Sequence, residues 1–208
     1  IGMSYGGLLA WRQTDLKAMV AYSSVSHMGV VLFGIATLDE AGMTGAVMQM
    51  VAHGLVAGAM FLLVGLLYER THTRNIMDYS SLVQVMPRFA LFMTITFLAA
   101  MSLPGSVGFI AELHTYVGGF QQWGNLMVFL GVSIIISSAY AMRTIGMLFT
   151  GPVKSHMREI EDLRIPELLA SSVLVLGIVL FGLWPSPLID LSASTMNLMN
   201  DIISQRIK

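Results

Sequence analysis

The sequence contains no cysteine, and charged residues make up only 11% of its 208 residues. Without cysteine, the chain has no disulfide bond and no thiolate-based metal or redox site. It also contains no Gly-rich phosphate-binding loop and no nucleophile elbow, so it offers no cofactor chemistry of its own. The formal net charge of −1 argues against nucleic acid as a partner.

Apolar residues dominate instead, at 55% of the chain. Soluble domains carry about 25% charged residues, so the composition predicts an integral membrane protein. A membrane-spanning helix needs about 20 apolar residues. The first apolar run, residues 1–11, is shorter, and we interpret it as a truncated helix of a longer subunit. Fuller spans are predicted at residues 18–38, 43–68, 89–120, 126–149 and 168–184. We therefore predict a single all-α membrane domain over residues 1–208, with about six transmembrane segments in a lipid bilayer.

The fourth span is interrupted by Pro104 and Gly105. Its 32 residues would extend about 48 Å as one straight helix, whereas the hydrocarbon core is about 30 Å thick. A broken helix resolves this mismatch, although a proline kink that only adjusts packing is the simpler alternative. Irregular backbone at membrane depth is tolerated only beside protein or a water-filled cavity, so a break favours a functional site.

Glu112 follows this break within the same apolar run. It is the only acidic residue between Asp78 and Glu159. A charged group at the bilayer centre costs roughly 2.5–3.5 kcal/mol on insertion scales. Such residues rarely serve packing and usually mark an ion or proton path.

Two histidines fall near the middle of their spans, His27 in the second span and His53, one turn from Gln49, in the third. A lone histidine at this depth is often only part of an interhelical hydrogen bond. Two midplane histidines and Glu112 can instead form a water-linked chain of protonatable groups, because histidine titrates near neutral pH. The same three residues are a possible metal-ligand set, but no close His-His or His-Glu spacing supports a metal. The pattern favours a proton path.

The 11 Lys and Arg residues are distributed unevenly between the two sides of the predicted bundle. One side carries Arg12, Lys17, Arg70, Arg74, Arg88, Arg143, Lys154, Arg158 and Arg164, and the other carries Arg206 and Lys208. The positive-inside rule places the first side in the cytoplasm, or in the matrix or stroma of an organelle. Arg143, inside the fifth span, is predicted either to snorkel to this side or to pair with a carboxylate outside this chain. The amphipathic tail, residues 188–207, is predicted to lie along the opposite interface.

Several strings of residues carry a resemblance to a known family. They are QTDLK at 13–17, AYSSVSHMG at 21–29, GAVMQM at 45–50, AHGL at 52–55, LYERTHTR at 67–74, and LPG at 103–105 followed by Gly108, Phe109 and Glu112. In this order, over about residues 11–120, the chain resembles the antiporter-like membrane subunits of respiratory complex I (NADH:quinone oxidoreductase), specifically the M-type or chain 4 subunit. Beyond residue 125 only the hydropathy and the Trp184-Pro185 ending match.

The resemblance implies a fold and the roles of several residues. This chain would hold the second of two inverted five-helix repeats, with a broken helix near Pro104, plus one closing transmembrane helix. Glu112 matches the family's broken-helix carboxylate and would be the alternately protonated switch. His27 and His53 match histidines of the central hydrated axis and would be relay stations. Lys17, near the basic-side end of the second helix, would help to hydrate or gate proton uptake.

The resemblance also implies a function and its partners. The chain would translocate protons across a bacterial inner membrane or a mitochondrial inner membrane, coupled to electron transfer in other complex I subunits. Flavin and iron–sulfur clusters are expected in those partner subunits, and neither a cofactor nor a metal is expected here. The other expected partners are neighbouring membrane subunits and an N-terminal half of the same subunit.

Two other functions and one departure from the family stay open. The motifs also occur in multisubunit sodium/proton antiporters and hydrogenase-linked ion pumps. A non-conducting scaffold would hold Glu112 in a permanent ion pair. The departure is that Ala111-Glu112-Leu113-His114 stands in place of the more usual Gly-Glu-Phe, and the resemblance assigns no role to His114.

Overall fold

The computed structural model describes residues 1–192 together with Thr195 and Leu198, and these residues form helices and no β-strand. The α-helices are α1 (Gly2–Arg12), α2 (Leu16–Ala36), α3 (Glu40–Thr71), α4 (Leu82–Val85), α5 (Pro87–Ala100), α6 (Val107–Trp123), α7 (Met127–Phe149) and α8 (Ile165–Leu183). Short 3₁₀ turns occupy Ile76–Asp78, Gly124–Leu126 and Ser155–Met157. Residues 186–192 are helical again after α8. The all-α prediction is confirmed.

Four of the described helices are long and apolar enough to cross a membrane: α2, α3, the Gly131–Phe149 part of α7, and α8. One stripe of α8 is exposed along its whole length and consists of Leu169, Val173, Leu176, Leu180 and Leu183. An exposed apolar stripe of this size suits lipid or a partner helix. The protein is therefore an integral membrane protein, as predicted. The inverted repeat, the closing helix and the single-domain range stay predictions.

The helices extend beyond the apolar runs from which they were predicted. The structure begins α3 at Glu40 and ends it at Thr71, instead of 43 and 68. The Asp39 carboxylate caps the first turn by accepting the Ala41 N–H at 3.0 Å. Asp15 caps α2 in the same way, so this helix begins before residue 18. Polar residues that hydropathy assigns to loops are therefore helical because caps satisfy their backbone groups.

The fourth predicted span is broken rather than kinked. The first half, α5, ends at Ala100, and the second half, α6, begins at Val107. Between them, Ser102 has φ of 53° and Gly105 has φ of 96°, both in the left-handed region. A residue that precedes proline avoids the helical region, which explains why the helix stops before Pro104. The simpler proline-kink alternative is wrong.

Protein covers the break on one side. A Cβ atom at Gly182 of α8 would lie 2.3 Å from the carbonyl oxygen of Gly105, so only glycine permits this approach. The Ser106 hydroxyl caps α6 by accepting the Phe109 N–H at 3.4 Å. The irregular backbone at membrane depth thus has protein partners, as the membrane environment requires.

The loops that carry the basic residues meet at one end of the bundle. The Leu16 N–H, after the α1–α2 connection, donates to the Arg74 carbonyl at 2.8 Å. The Arg70 Nε atom, at the end of α3, donates to the Glu161 carbonyl of the α7–α8 connection at 3.0 Å. The predicted grouping of nine basic residues at one end is therefore confirmed. The side of the membrane on which they lie stays a prediction. In the tail, residues 186–192, Thr195 and Leu198 are helical, and Arg206, Lys208 and the other predicted tail residues lie outside the described residues.

The long helix α3 lies at the centre of the bundle and contacts α2, α5, α6 and α8. Its crossing with α6 is unusually close. A Cβ atom at Gly45 would lie 2.5 Å from the Thr115 nitrogen, and one at Gly118 would lie 2.4 Å from the Gly42 nitrogen. Small residues allow this backbone approach in membranes. The crossing fixes α6, which carries Glu112, against α3, which carries His53.

Candidate functional site

His27 and His53 form a direct pair between α2 and α3. Their Nδ1 atoms lie 3.4 Å apart, and the two rings are nearly perpendicular at 78°. In such a contact one Nδ1 must donate and the other must accept, so both rings cannot be charged in this arrangement. A proton that arrives on Nε2 of the donating ring makes that ring imidazolium, and transfer of its Nδ1 proton to the second ring then reverses the direction of the contact. The sequence placed both residues near mid-membrane, and the structure brings them together.

Glu112 lies in the second turn of α6, just after the break. Its side chain is buried, with a residue exposure of 8%. The Ser102 hydroxyl of the break interacts with its carboxylate. Within the part of the chain described, Glu112 forms no salt bridge. A buried carboxylate without a counter-ion is costly while it is ionised, so it is suited to gain and lose a proton.

Tyr140 of α7 is buried near both Ser23 of α2 and Glu112 of α6. Its hydroxyl faces both Glu112 and Ser23, although no atom meets it with hydrogen-bond geometry among the described residues. Ser23 precedes His27 by one helical turn on α2. Tyr116 of α6, one turn after Glu112, contacts the Ser133 hydroxyl of α7 at 3.4 Å. Polar side chains from α2, α6 and α7 thus lie near one another in this region.

Several buried polar atoms of this region have no hydrogen-bond partner among the described residues. They are His27 Nε2, Gln49 Oε1 and Tyr140 Oη, with Ser171 Oγ on α8. His27 also lies beside the backbone of Ala100, where α5 ends. Buried polar atoms usually bind protein or water. The unpartnered atoms therefore indicate positions where water would link the histidine pair to the break.

Lys17 is not part of this cluster. It is exposed in the first turn of α2 and precedes His27 by ten residues, or about 15 Å along the helix axis. It lines a separate cavity of about 310 Å³ at the basic end, together with Phe61, Tyr68 and Arg74. The structure therefore brings together His27 and His53, places Glu112 beside the break, and separates Lys17 from them.

Two features of the site were missed or left open by the sequence. Ser102 contacts Glu112 only because the break turns the chain back, and its place directly before Leu103-Pro104 was the available signal. Arg143 donates to the carbonyl oxygen of Trp11 at the end of α1, and this bond to the basic end agrees with the predicted snorkelling, while pairing with a carboxylate outside this chain stays a prediction. Among the described residues, no group of three or more His, Cys, Asp or Glu side chains could hold a metal ion.

The arrangement supports proton transfer rather than bond chemistry. It offers a carboxylate, an imidazole pair, two phenols and several hydroxyls at membrane depth. Each can hold or pass a proton. The break supplies backbone groups outside the helical hydrogen-bond ladder, and these bind water readily.

Comparisons with known proteins identify the family of the chain. Residues 1–137 match the family described as NADH:quinone oxidoreductase/Mrp antiporter, transmembrane. NADH-quinone oxidoreductase subunit M of Rhodobacter capsulatus is 38% identical over 192 residues, which cover 92% of this chain and 38% of the relative. Subunit M of Pseudomonas aeruginosa is 38% identical over 197 residues, with coverage of 95% and 38%. The chain thus spans about two fifths of the length of these curated relatives.

Solved structures share the fold. Respiratory complex I from Thermus thermophilus aligns with a TM-score of 0.86 and 32% identity over 95% of this chain and 43% of that chain. The Mrp complex from Dietzia aligns equally well, with a TM-score of 0.86, but with 19% identity over 96% of this chain and 46% of that chain. The second likeness is one of fold alone.

Proposed function

The chain belongs to the NADH:quinone oxidoreductase/Mrp antiporter transmembrane family, and from this membership we propose that it forms part of a proton-translocating membrane subunit of NADH:quinone oxidoreductase. Relatives named subunit M, at 38% identity, support this assignment over the antiporter alternative. Electron transfer takes place in other subunits, which hold the flavin and iron–sulfur clusters. This chain holds no cofactor and converts their conformational or electrostatic signal into proton movement.

The observation that carries the proposal is the environment of Glu112. The carboxylate is buried beside a broken helix and has no salt bridge within the described residues. A permanent ion pair would favour a scaffold instead. A group that is too costly to keep ionised, yet is close to hydroxyls that accept and donate, is suited to alternate between two protonation states.

The histidine pair extends the path away from Glu112. A proton passes between the carboxylate and His27 by way of Tyr140, Ser23 and water at the break. His53, which is only partly buried, exchanges the proton with groups beyond the described bundle. The remainder of the subunit, which the relatives contain and this chain does not span, supplies those groups.

Lys17 acts at the basic end, apart from the relay. Its backbone lies about 15 Å from that of His27 along the axis of α2, so Lys17 influences proton uptake through the field and the water of its cavity rather than by direct transfer. The membrane partners of the chain are the other membrane subunits of the complex and the surrounding lipid.

Copurification tests the assignment to NADH:quinone oxidoreductase. The chain would be tagged in its native membrane, solubilised in mild detergent, and its partners identified by mass spectrometry and by absorbance of flavin and iron–sulfur clusters. We expect flavin and iron–sulfur subunits at a constant ratio to the tagged chain. Cation-antiporter subunits without redox subunits, or a hydrogenase, would contradict the assignment.

A further inference from the structure

We propose that His114 is the proton-release residue of this chain, at the inner end of a water-filled cavity that opens on the side opposite the basic loops. This proposal rests on the proposed function and adds a station to it. The resemblance to the family assigns no role to His114, which lies two residues after Glu112.

The cavity has the position and size of an exit path. It has a volume of about 400 Å³ and is lined by Asp39, Glu40, Ala41, Thr44, His114, Gln121 and Ile189. Since one water molecule occupies about 30 Å³ in the liquid, the cavity has room for about a dozen waters. His114 and Gln121 lie two turns apart on one face of α6, a span of about 10 Å along the axis. The cavity therefore extends from the end of α6 into the depth of the membrane.

The histidine ring is held in the form that a release group needs. Its Nδ1 atom lies 2.9 Å from the Ile110 carbonyl oxygen. A carbonyl oxygen only accepts, so Nδ1 carries the hydrogen and the neutral ring keeps its lone pair on Nε2. Nε2 can gain a proton to form imidazolium and lose it to cavity water as hydronium. The Nδ1–H bond to Ile110 persists through both steps.

The charges that face His114 favour release on this side. From the start of α3, Asp39 and Glu40 line the cavity, and Thr44 contributes a hydroxyl deeper inside. From α6, the Gln121 amide, with its nitrogen toward α3, donates to the Asp39 carboxylate at 3.1 Å. From residues 186–192, apolar Ile189 completes the lining. The lining contains no Lys or Arg, so a proton on His114 is drawn toward acidic groups at the mouth.

Glu112 and His114 are successive proton-binding residues of the proposed path and do not contact each other directly. They are two residues apart on α6, about 3 Å along the axis, and their side chains leave the helix about 160° apart. A proton therefore passes between them on water or neighbouring hydroxyls. No electron transfer or bond to carbon is involved, and the proton that leaves Glu112 is the one that His114 releases.

The test uses the intact complex in sealed membranes. His114→Phe replaces the imidazole with an aromatic ring that cannot bind a proton, and Leu113→Phe places the same ring at the exposed neighbouring position as a control. We expect the assembled His114→Phe complex to lose proton pumping and coupled quinone reduction about tenfold or more, the scale of a removed acid–base group. The Leu113→Phe complex should match the unmodified one. Normal pumping by His114→Phe would overturn the proposal.

Chemical rescue separates proton transfer from packing. In His114→Ala, added imidazole should restore coupled turnover, since the cavity is large enough to admit it. If His114 serves only in packing, imidazole will not restore turnover, and that result would also overturn the proposal. Glu112→Gln is measured in parallel, and imidazole should not rescue it. Loss of pumping in Glu112→Gln with normal pumping in His114→Phe rejects this inference alone, whereas normal pumping in Glu112→Gln rejects the function on which it rests.

Discussion

His27 and His53 illustrate, at the scale of single residues, how burial and function are coupled in this bundle. His27 is buried and His53 is its only ring partner among the described residues. The contact uses Nδ1 on both rings and leaves His27 Nε2 unpartnered in the described part of the chain. An arrangement designed only for packing would leave fewer polar atoms unsatisfied. The pair is better explained as a relay that uses water.

We predict that His53→Ala impairs proton pumping more than assembly. The change removes a protonatable ring at mid-membrane, while the apolar contacts of α3 with α2 and α6 remain. Proton uptake coupled to quinone reduction is measured beside the amount of assembled complex. The matched control is His156→Ala in the exposed α7–α8 connection, which should change neither quantity. Poor assembly with normal activity per complex would indicate a structural histidine.

Individual residues of the site could be predicted from the sequence, but their contacts could not. Hydropathy and spacing identified Glu112, His27 and His53, because a polar group in an apolar run is visible without a structure. The contact of Ser102 with Glu112 and the place of Tyr140 near α2 and α6 could not be predicted. They depend on the path of the break and on the register between helices, and helical periodicity specifies neither.

At the scale of elements, the start of α5, the first half of the broken helix, is capped by a residue from a distant loop. No side chain next to the start of α5 caps it. Asp162, before α8, accepts the N–H groups of Arg88 at 2.8 Å and Phe89 at 3.1 Å instead. Arg70 donates to the neighbouring Glu161 carbonyl and to the Glu167 carboxylate. The hydrogen bonds of Asp162 and Arg70 therefore link α3, α5 and α8 at the basic end.

We predict that Asp162→Ala destabilises the assembled subunit by about 1–2 kcal/mol, the range of a lost N-cap. Arg88 and Phe89 donate to different oxygens of Asp162. Asp162→Asn keeps only one of these two acceptors, so that variant should lose an intermediate amount. The temperature at which half of the solubilised complex is inactivated provides the measurement. Glu161→Ala, which removes only an exposed ion pair with Arg164, serves as the control and should match the unmodified complex. Equal losses in Asp162→Ala and Glu161→Ala would refute the role of the cap.

The sequence predicted the helices and the break correctly, but it predicted the ends of the helices less accurately. Pro104 and Gly105 indicated the break, because proline restricts its predecessor and glycine tolerates positive φ. The predicted spans were too short around Glu40 and Leu16, because hydropathy registers the apolar core whereas Asp39 and Asp15 cap helices outside it. Length and composition predict what crosses the membrane, but caps decide where helices end.

The whole molecule has a different charge at each end of the bundle, and this asymmetry is already visible in the sequence. Nine of the basic residues lie at one end of the bundle, and Asp39, Glu40 and Gln121 line a cavity at the other. The positive-inside rule then orients the bundle. It also gives the proposed path a direction, from the basic end, with Lys17, toward the acidic cavity.

We predict that single cysteines at positions 40 and 158 are labelled from opposite sides of the membrane. The chain has no cysteine of its own, so each introduced thiol is the only one in this chain. A membrane-impermeant reagent applied to vesicles of known orientation should reach Arg158→Cys from the cytoplasmic or matrix side and Glu40→Cys from the other. Labelling of both from one side would contradict the topology.

The central claim, that the buried carboxylate changes its charge during turnover, is tested most directly by the number of protons pumped per electron in Glu112→Gln. The substitution keeps the shape of the side chain and its interaction with Ser102 but removes the titration. The account predicts an assembled complex with strongly reduced pumping and reduced coupled electron transfer, and partial function in Glu112→Asp. An assembled Glu112→Gln complex that pumps with unchanged stoichiometry and rate would contradict the account, because the carboxylate would then be only a hydrogen-bonding partner at the break.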